Sequence, residues 1–166
     1  MSIETGAPAP DLRLPAWAND GTTELALADY RSGSGKPVAG TAVVLYFYPK
    51  DSTPGCTTES QDFRDLYGQF REHGAEVIGV SRDSLASHQK FAERQALPFP
   101  LLSDADEVAC KAFDVIREKN MYGRKVMGIE RSTFLIDAEG TVREIWRKVR
   151  VKGHAQAVLE RLQTTA

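Results

Sequence analysis

At 166 residues, with 42% hydrophobic and 27% charged residues, the chain is long and apolar enough to bury roughly 70% of its unfolded surface, which excludes disorder and any need for staples. A formal net charge of -2, from 21 basic and 23 acidic residues, leaves no cationic excess for a phosphate backbone or an anionic membrane, so neither nucleic acid nor membrane is an expected partner. Two cysteines, with no CxxC pair and no Cys/His cluster, make neither a disulfide scaffold nor a zinc site, and no basic, apolar leader opens the chain; one domain over residues 1–166 in the reducing cytoplasm is expected, without metal or cofactor.

Residues 1–20 are rich in Pro and Ala. Asp11-Leu12-Arg13-Leu14 reads as a short edge strand, Asn19-Asp20-Gly21 as a turn, and residues 22–27 as the hairpin partner. A loop dense in Gly and Ser follows at 31–37. Its Gly33-Ser34-Gly35-Lys36 lacks the preceding strand, the glycine spacing and the Ser or Thr after Lys that a phosphate loop requires, so it reads as a surface turn.

Residues 41–48 form a continuous β-branched and aromatic run, the pattern of a strand buried on both faces. After two prolines and a glycine the period changes. From Cys56 onward, Phe63, Leu66, Tyr67 and Phe70 fall at i, i+3, i+4 and i+7, predicting an amphipathic helix that ends near His73-Gly74. Residues 75–81 read as a second apolar strand, which completes a right-handed βαβ unit.

A second helix is predicted over 84–95, capped by Ser84, with Leu85 and Phe91 inward, and then a short strand near Leu102. Asp104 caps a helix over Val108, Ala109, Ala112 and Phe113 that contains Cys110. Residues 117–128 read as a mixed loop, and residues 131–137 and 141–147 as a hairpin across Ala138-Glu139-Gly140. The last helix, about 153–162, places Ala157, Val158 and Leu162 on one face. The alternation predicts an α/β protein of thioredoxin-like layout: a central mixed β-sheet flanked by helices on both faces, with Cys56 beyond the carboxyl end of a strand, where such sheets place their chemistry.

A thiol in the first turn of a helix faces free N–H groups and the positive end of the dipole, which favour its thiolate. A larger thiolate fraction alone accounts for only about a 10- to 20-fold gain, so reaction with an oxygen electrophile also needs preorganised donors. Thr53, three residues before the thiol, can turn its hydroxyl toward the sulfur while accepting a helix-start N–H; Pro49 closes the strand and shields one side; the Gly55 and Cys56 N–H groups offer an anion nest. A fixed positive charge is missing locally.

The segment Pro49-Lys50-Asp51-Ser52-Thr53-Pro54-Gly55-Cys56 matches PxxxTxxC, and the chain resembles the peroxiredoxins. Residues 46–59 together with Gly128-Ile129-Glu130-Arg131-Ser132-Thr133 resemble the bacterioferritin comigratory protein, or peroxiredoxin Q, branch. The resemblance implies the peroxiredoxin variant of the thioredoxin fold and a thiol-dependent peroxidase, an antioxidant enzyme reducing hydrogen peroxide and organic hydroperoxides. It implies that Cys56 becomes a sulfenic acid, that Arg131 holds thiolate and peroxide, and that Glu59 orients Arg131. It further implies a monomer reduced by thioredoxin, glutaredoxin or glutathione.

The chain departs from that branch where a second cysteine is common. Five residues after Cys56 stands Gln61, and Lys90-Phe91-Ala92-Glu93 on the next helix holds no thiol. Cys110, among apolar residues, reads as a small core side chain, so a one-cysteine cycle resolved by an external thiol is expected; resolution by Cys110, or redox sensing or holdase action through Cys56, is the alternative. His73, His88 and His154 read as surface or helix-end residues, with His88 and Asp83 bordering a cleft, and Trp17 and Trp146 as packing. The segment 119–125 reads as a solvated loop.

Overall fold

The computed structural model describes residues 3–18 and 21–164. Seven strands form one mixed sheet: β1 (Arg13–Ala18), β2 (Gly21–Ala26), β3 (Ala42–Phe47), β4 (Ala75–Ser81), β5 (Leu101–Ser103), β8 (Ser132–Ile136) and β9 (Val142–Trp146), in the order β2-β1-β5-β4-β3-β8-β9. β3, β4 and β5 run parallel, and the flanking pairs are antiparallel. β6 (Ile116–Met121) and β7 (Arg124–Ile129) pair only with each other.

Each residue of β3 after Ala42 is buried, because both faces of this strand are covered. Val43, Leu45 and Phe47 join one core and Val44 and Tyr46 the other, the two-residue alternation of a strand between two layers. Three helices cover the second face: α1 (Pro54–Glu72), α2 (Leu85–Gln95) and α4 (His154–Gln163), which bring Phe63, Phe70, Phe91, Val158 and Leu159 into that core. The short α3 (Val108–Ala112), the 3-10 turn Leu27–Tyr30 and the N-terminal segment cover the first. The sheet therefore separates Cys56, in the second core, from Cys110, in the first.

The α1 layer sits close to the sheet because β4 offers a glycine there. A Cβ on Gly79 would lie 2.8 Å from Leu101 and 2.9 Å from the Tyr46 ring, whose hydroxyl pairs with Ser60 of α1 at 2.9 Å. Tyr46 also stacks on Phe63 at 4.7 Å between centroids, so one aromatic side chain joins β3 to α1.

Several expectations are corrected. β1 is not an edge strand: it starts at Arg13 and lies between β2 and β5, because β2 caps the sheet. The turn at 19 and 20 lies outside the described residues. Residues 117–128 are no loop but most of the β6–β7 hairpin, turned by Tyr122 and Gly123, both at positive φ as a two-residue primed turn requires. On α2, Leu85 is only half-buried and His88 takes the inward position. On α4, Ala157 is exposed, and Ala155 and Leu159 with Val158 and Leu162 form the buried face.

Candidate active site

The site is assembled from two stretches of the chain, around Cys56 and around Arg131, 75 residues apart. Pro49 follows the buried Tyr48 and, lacking an N–H, ends β3; the chain then turns through Lys50, Asp51 and Ser52 into α1, whose first residue is Pro54. Ser52 adopts φ +65°, a left-handed conformation costing a non-glycine residue about 1 to 2 kcal/mol. Cys56 is the third residue of α1. The first ladder bond is donated by the Thr57 N–H to the Thr53 carbonyl at 2.9 Å, so the N–H groups of Gly55 and Cys56 precede it.

Arg131 stands immediately before β8, beside the carboxyl end of antiparallel β3, and reaches the turn from the other side. Its Nη2 donates to Cys56 Sγ at 3.4 Å and its Nη1 to Glu59 Oε1 at 2.6 Å, so one guanidinium joins thiol and carboxylate. Gly55 allows this approach: a Cβ there would stand 3.3 Å from Arg131 Nη2. Cys56 and Glu59 are each 1% exposed, while Arg131 keeps a partly open edge.

Arg131 thus contacts both Cys56 and Glu59, bringing together the three residues that the family resemblance implies. Thr53 is placed differently from the expectation. Its hydroxyl donates to the Lys50 carbonyl at 2.8 Å, so in this conformation it closes the turn instead of pointing its proton at sulfur, and it caps no helix N–H. Both lone pairs of that oxygen remain to accept. Pro49 is half-buried in the same turn.

Glu59 Oε2 is the one buried side-chain oxygen or nitrogen among the described residues without a hydrogen-bond partner. Burial pushes the Glu59 carboxyl from its ordinary 4.5 up to about 7, against the opposing pull of Arg131. His154, expected as a surface or helix-end residue, opens α4 but is buried, with Nε2 2.8 Å from Thr133 Oγ1; burial first, and then the Arg131 charge, push it down to about 4.

The two groups act oppositely on stability. Folded Glu59 keeps its proton to a higher pH than the unfolded chain does, so its contribution is whole below about pH 4.5 and is lost as pH rises through about 7. Folded His154 refuses a proton that the unfolded chain accepts, so its contribution is whole above about pH 6.5 and is lost as pH falls through about 4, on the order of 3 kcal/mol. Urea unfolding between pH 4.5 and 7.5 is expected to show a steeper acid loss in Glu59→Gln and a shallower one in His154→Gln.

Cys110 is 0% exposed, and its backbone N–H donates to Asp104 Oδ2 at 2.7 Å, the capping carboxylate that the sequence anticipates. Burial, with the Asp104 carboxylate beside it, pushes the Cys110 thiol well up, so it stays protonated.

The sequence reading puts His88 and Asp83 beside one cleft but misses Asp51 there and the burial of His88. Asp51, Asp83 and His88 converge at the carboxyl ends of β3 and β4 and the start of α2, and His88, read as a surface residue, is 0% exposed. The available signal is spacing: His88, Phe91 and Ala92 fall at i, i+3 and i+4, the inward face of α2. Both Asp51 oxygens and Asp83 Oδ2 accept from N–H or O–H donors, and both His88 ring nitrogens face oxygens, so the group is held together by its own hydrogen bonds.

The AhpC/TSA family profile matches residues 5–145. Peroxiredoxin Bcp of Xanthomonas campestris is 60% identical over 128 residues, 77% of this chain and 80% of that protein. Peroxiredoxin Bcp of Bacillus subtilis is 49% identical over 163 residues, 98% of this chain and 97% of its own. A solved structure of the Xanthomonas campestris bacterioferritin comigratory protein, described for its alkyl peroxide reduction activity and trapped intermediate and ligand complexes, superposes with a TM-score of 0.84 at 51% identity, covering 98% of this chain and 96% of that one. The same organism's peroxiredoxin Q gives a TM-score of 0.85 at 51% identity, covering 98% and 96%. The thiol lying under a guanidinium at the end of a central strand therefore sits in a chain of known lineage, which belongs to the AhpC/TSA family as a peroxiredoxin of the Bcp, or peroxiredoxin Q, branch.

Proposed function

We propose that this peroxidase reduces hydrogen peroxide and organic hydroperoxides at Cys56 and completes its cycle with an external thiol. The observation that carries the reading is the Arg131 guanidinium, within hydrogen-bond reach of both Cys56 Sγ and the buried Glu59. The activity described for the Xanthomonas campestris relative extends it to alkyl peroxides.

The Cys56 thiolate attacks the terminal oxygen of ROOH. An S–O bond forms as the O–O bond breaks, giving Cys56–SOH and an alkoxide that takes a proton from water and leaves as ROH. Arg131 offers its donors to the sulfur and to the charge growing on the breaking bond, with Glu59 fixing the plane of the fork. Thr53 holds the turn through Lys50 and presents an oxygen at its mouth, and Pro49 shields the strand side.

A thiol RSH then attacks the sulfenic sulfur, forming a mixed disulfide and releasing water, and a second thiol displaces Cys56 as thiolate. Thioredoxin, or glutaredoxin with glutathione, supplies these two electrons. The sheet between Cys56 and Cys110, and the protonated state of Cys110, favour the external route. The whole chain acts as one domain and as a monomer, in a reducing cytoplasm that keeps such thiols available. Among the described residues no helix is long and apolar enough to cross a membrane.

Peptide mapping tests this cycle. After one equivalent of peroxide, with glutathione present, the expected product is a glutathione adduct on Cys56. An intramolecular Cys56–Cys110 disulfide would replace the external route with resolution by Cys110.

A further inference from the structure

The turn that delivers Cys56 contains a residue whose burial the reaction itself does not explain. Lys50 and Ser52 are exposed, but Asp51 between them is 5% exposed, an unusual place for a carboxylate unless donors surround it. They do. Tyr48 O–H donates to Oδ1 at 2.6 Å; Ser87 O–H, at 2.8 Å, and the His88 ring, at 2.7 Å, meet Oδ2; and the Asp51 backbone N–H donates to Asp83 at 2.8 Å. His88 Nε2 lies 2.8 Å from the Leu102 carbonyl, which only accepts, so that nitrogen carries a proton and the ring is pinned to β5. One turn residue is thereby tied to β3, α2 and, through His88, β5.

This anchorage meets the left-handed Ser52 directly, and four residues later comes Cys56. A strained conformation persists only where its surroundings over-determine it. The other half of the site, Arg131, comes from a separate element, so the 3.4 Å approach of guanidinium and sulfur depends on the turn being held in place.

We infer that Asp51 and His88 are positioning residues for the Cys56 reaction: their buried pair locks the 49–53 turn so that the thiol meets Arg131 in the geometry peroxide requires. The inference rests on the Cys56 reading above. It separates two properties of the thiol. Peroxide reduction needs sulfur, donors and peroxide aligned, and a misplacement of about 1 Å can cost on the order of 100-fold. Alkylation by iodoacetamide needs only an accessible thiolate.

The test compares rate constants for hydrogen peroxide, by stopped flow, with those for iodoacetamide in Asp51→Ala, His88→Ala, His88→Gln and His88→Asn, each checked for folding by circular dichroism. Asp51→Ala, His88→Ala and His88→Gln are expected to slow peroxide reaction at least about tenfold while alkylation changes by less than about threefold. The His88→Asn amide reaches where Nδ1 stands, toward Asp51, and is expected to recover most of the loss; the His88→Gln amide reaches toward the Leu102 carbonyl instead and is not. Peroxide rates within about twofold of wild type, equal slowing of both electrophiles, or no advantage of His88→Asn over His88→Gln would each overturn the inference. If Asp51→Ala does not fold, the His88→Asn and His88→Gln comparison decides alone. Peroxide reduction that survives in Cys56→Ser would instead refute the Cys56 reading, which keeps the two failures apart.

Discussion

Cys56→Ser is expected to abolish peroxide-dependent oxidation of dithiothreitol, of thioredoxin and of glutathione with glutaredoxin, whereas Cys110→Ala is expected to keep most of it. A serine hydroxyl is neither ionised near neutral pH nor oxidised by peroxide, so no donor geometry around it restores turnover. Cys110 differs in every respect that matters to a reactive thiol. It is 0% exposed, lies in the core on the other face of the sheet, and is held protonated by burial and by the neighbouring Asp104 carboxylate. A disulfide requires α-carbons within about 7 Å, and the central strands stand between the two thiols. Cys110→Ala is preferred to Cys110→Ser because a hydroxyl in that apolar cluster costs stability for reasons unrelated to catalysis. Coupled NADPH oxidation, or direct peroxide consumption, measures the result. A Cys110→Ala enzyme that folds but fails to turn over would give Cys110 the resolving role. The same assay separates a peroxidase from a redox sensor or holdase, which would oxidise once and stop.

Arg131→Ala is expected to slow the reaction of Cys56 with peroxide by at least about 100-fold, the loss typical of removing preorganised donors from a dry site. The guanidinium makes the 3.4 Å contact to sulfur and the 2.6 Å pair with Glu59, and its side chain stays partly exposed. Its removal also strands Glu59, a buried carboxyl with one oxygen already unpartnered, which then holds its proton more firmly. Arg131→Lys is not expected to restore the rate, since a single ammonium cannot meet carboxylate and sulfur as a fork does. Iodoacetamide again supplies the control. Should alkylation and peroxide reaction fall by the same factor in Arg131→Ala, the residue acts only by favouring the thiolate, and its proposed part in the transition state is wrong.

Much of this arrangement is legible in one dimension. The unbroken apolar run of β3, the change of period after Pro54-Gly55 and the second run of β4 each carry a signal strong enough to survive tertiary packing, because a doubly covered strand and a one-sided helix have different periods. The β6–β7 hairpin was not legible. Its charged residues interrupt any apolar alternation, its ladder pairs with no other strand, and its turn uses Tyr122-Gly123 where Asn-Gly or Asp-Gly would announce it. The buried face of α4 differs from the expectation at Ala157, although the spacing carries the signal: Ala155, Val158, Leu159 and Leu162 fall at i, i+3, i+4 and i+7, and Ala157 lies off that face. The spacing of His88 with Phe91 and Ala92 marks it as inward, but an isolated histidine in a polar stretch carries no sign of the buried Asp51 carboxylate that receives it.

The sequence by itself determined the α/β layout, the position of Cys56 at a strand-to-helix turn and, through the motif around it, the lineage of the chain, since these depend on local period and on residues near one another along the chain. Tertiary structure alone decided the geometry by which Arg131 meets Cys56, that Cys110 lies across the sheet, that the Thr53 hydroxyl turns toward Lys50, and that Asp51 turns inward to His88. Apart from the Thr53–Lys50 bond, which the backbone of a single turn sets, these relations join residues 37 to 75 positions apart, and only the order of strands in the folded sheet brings them within reach of a hydrogen bond or keeps them apart.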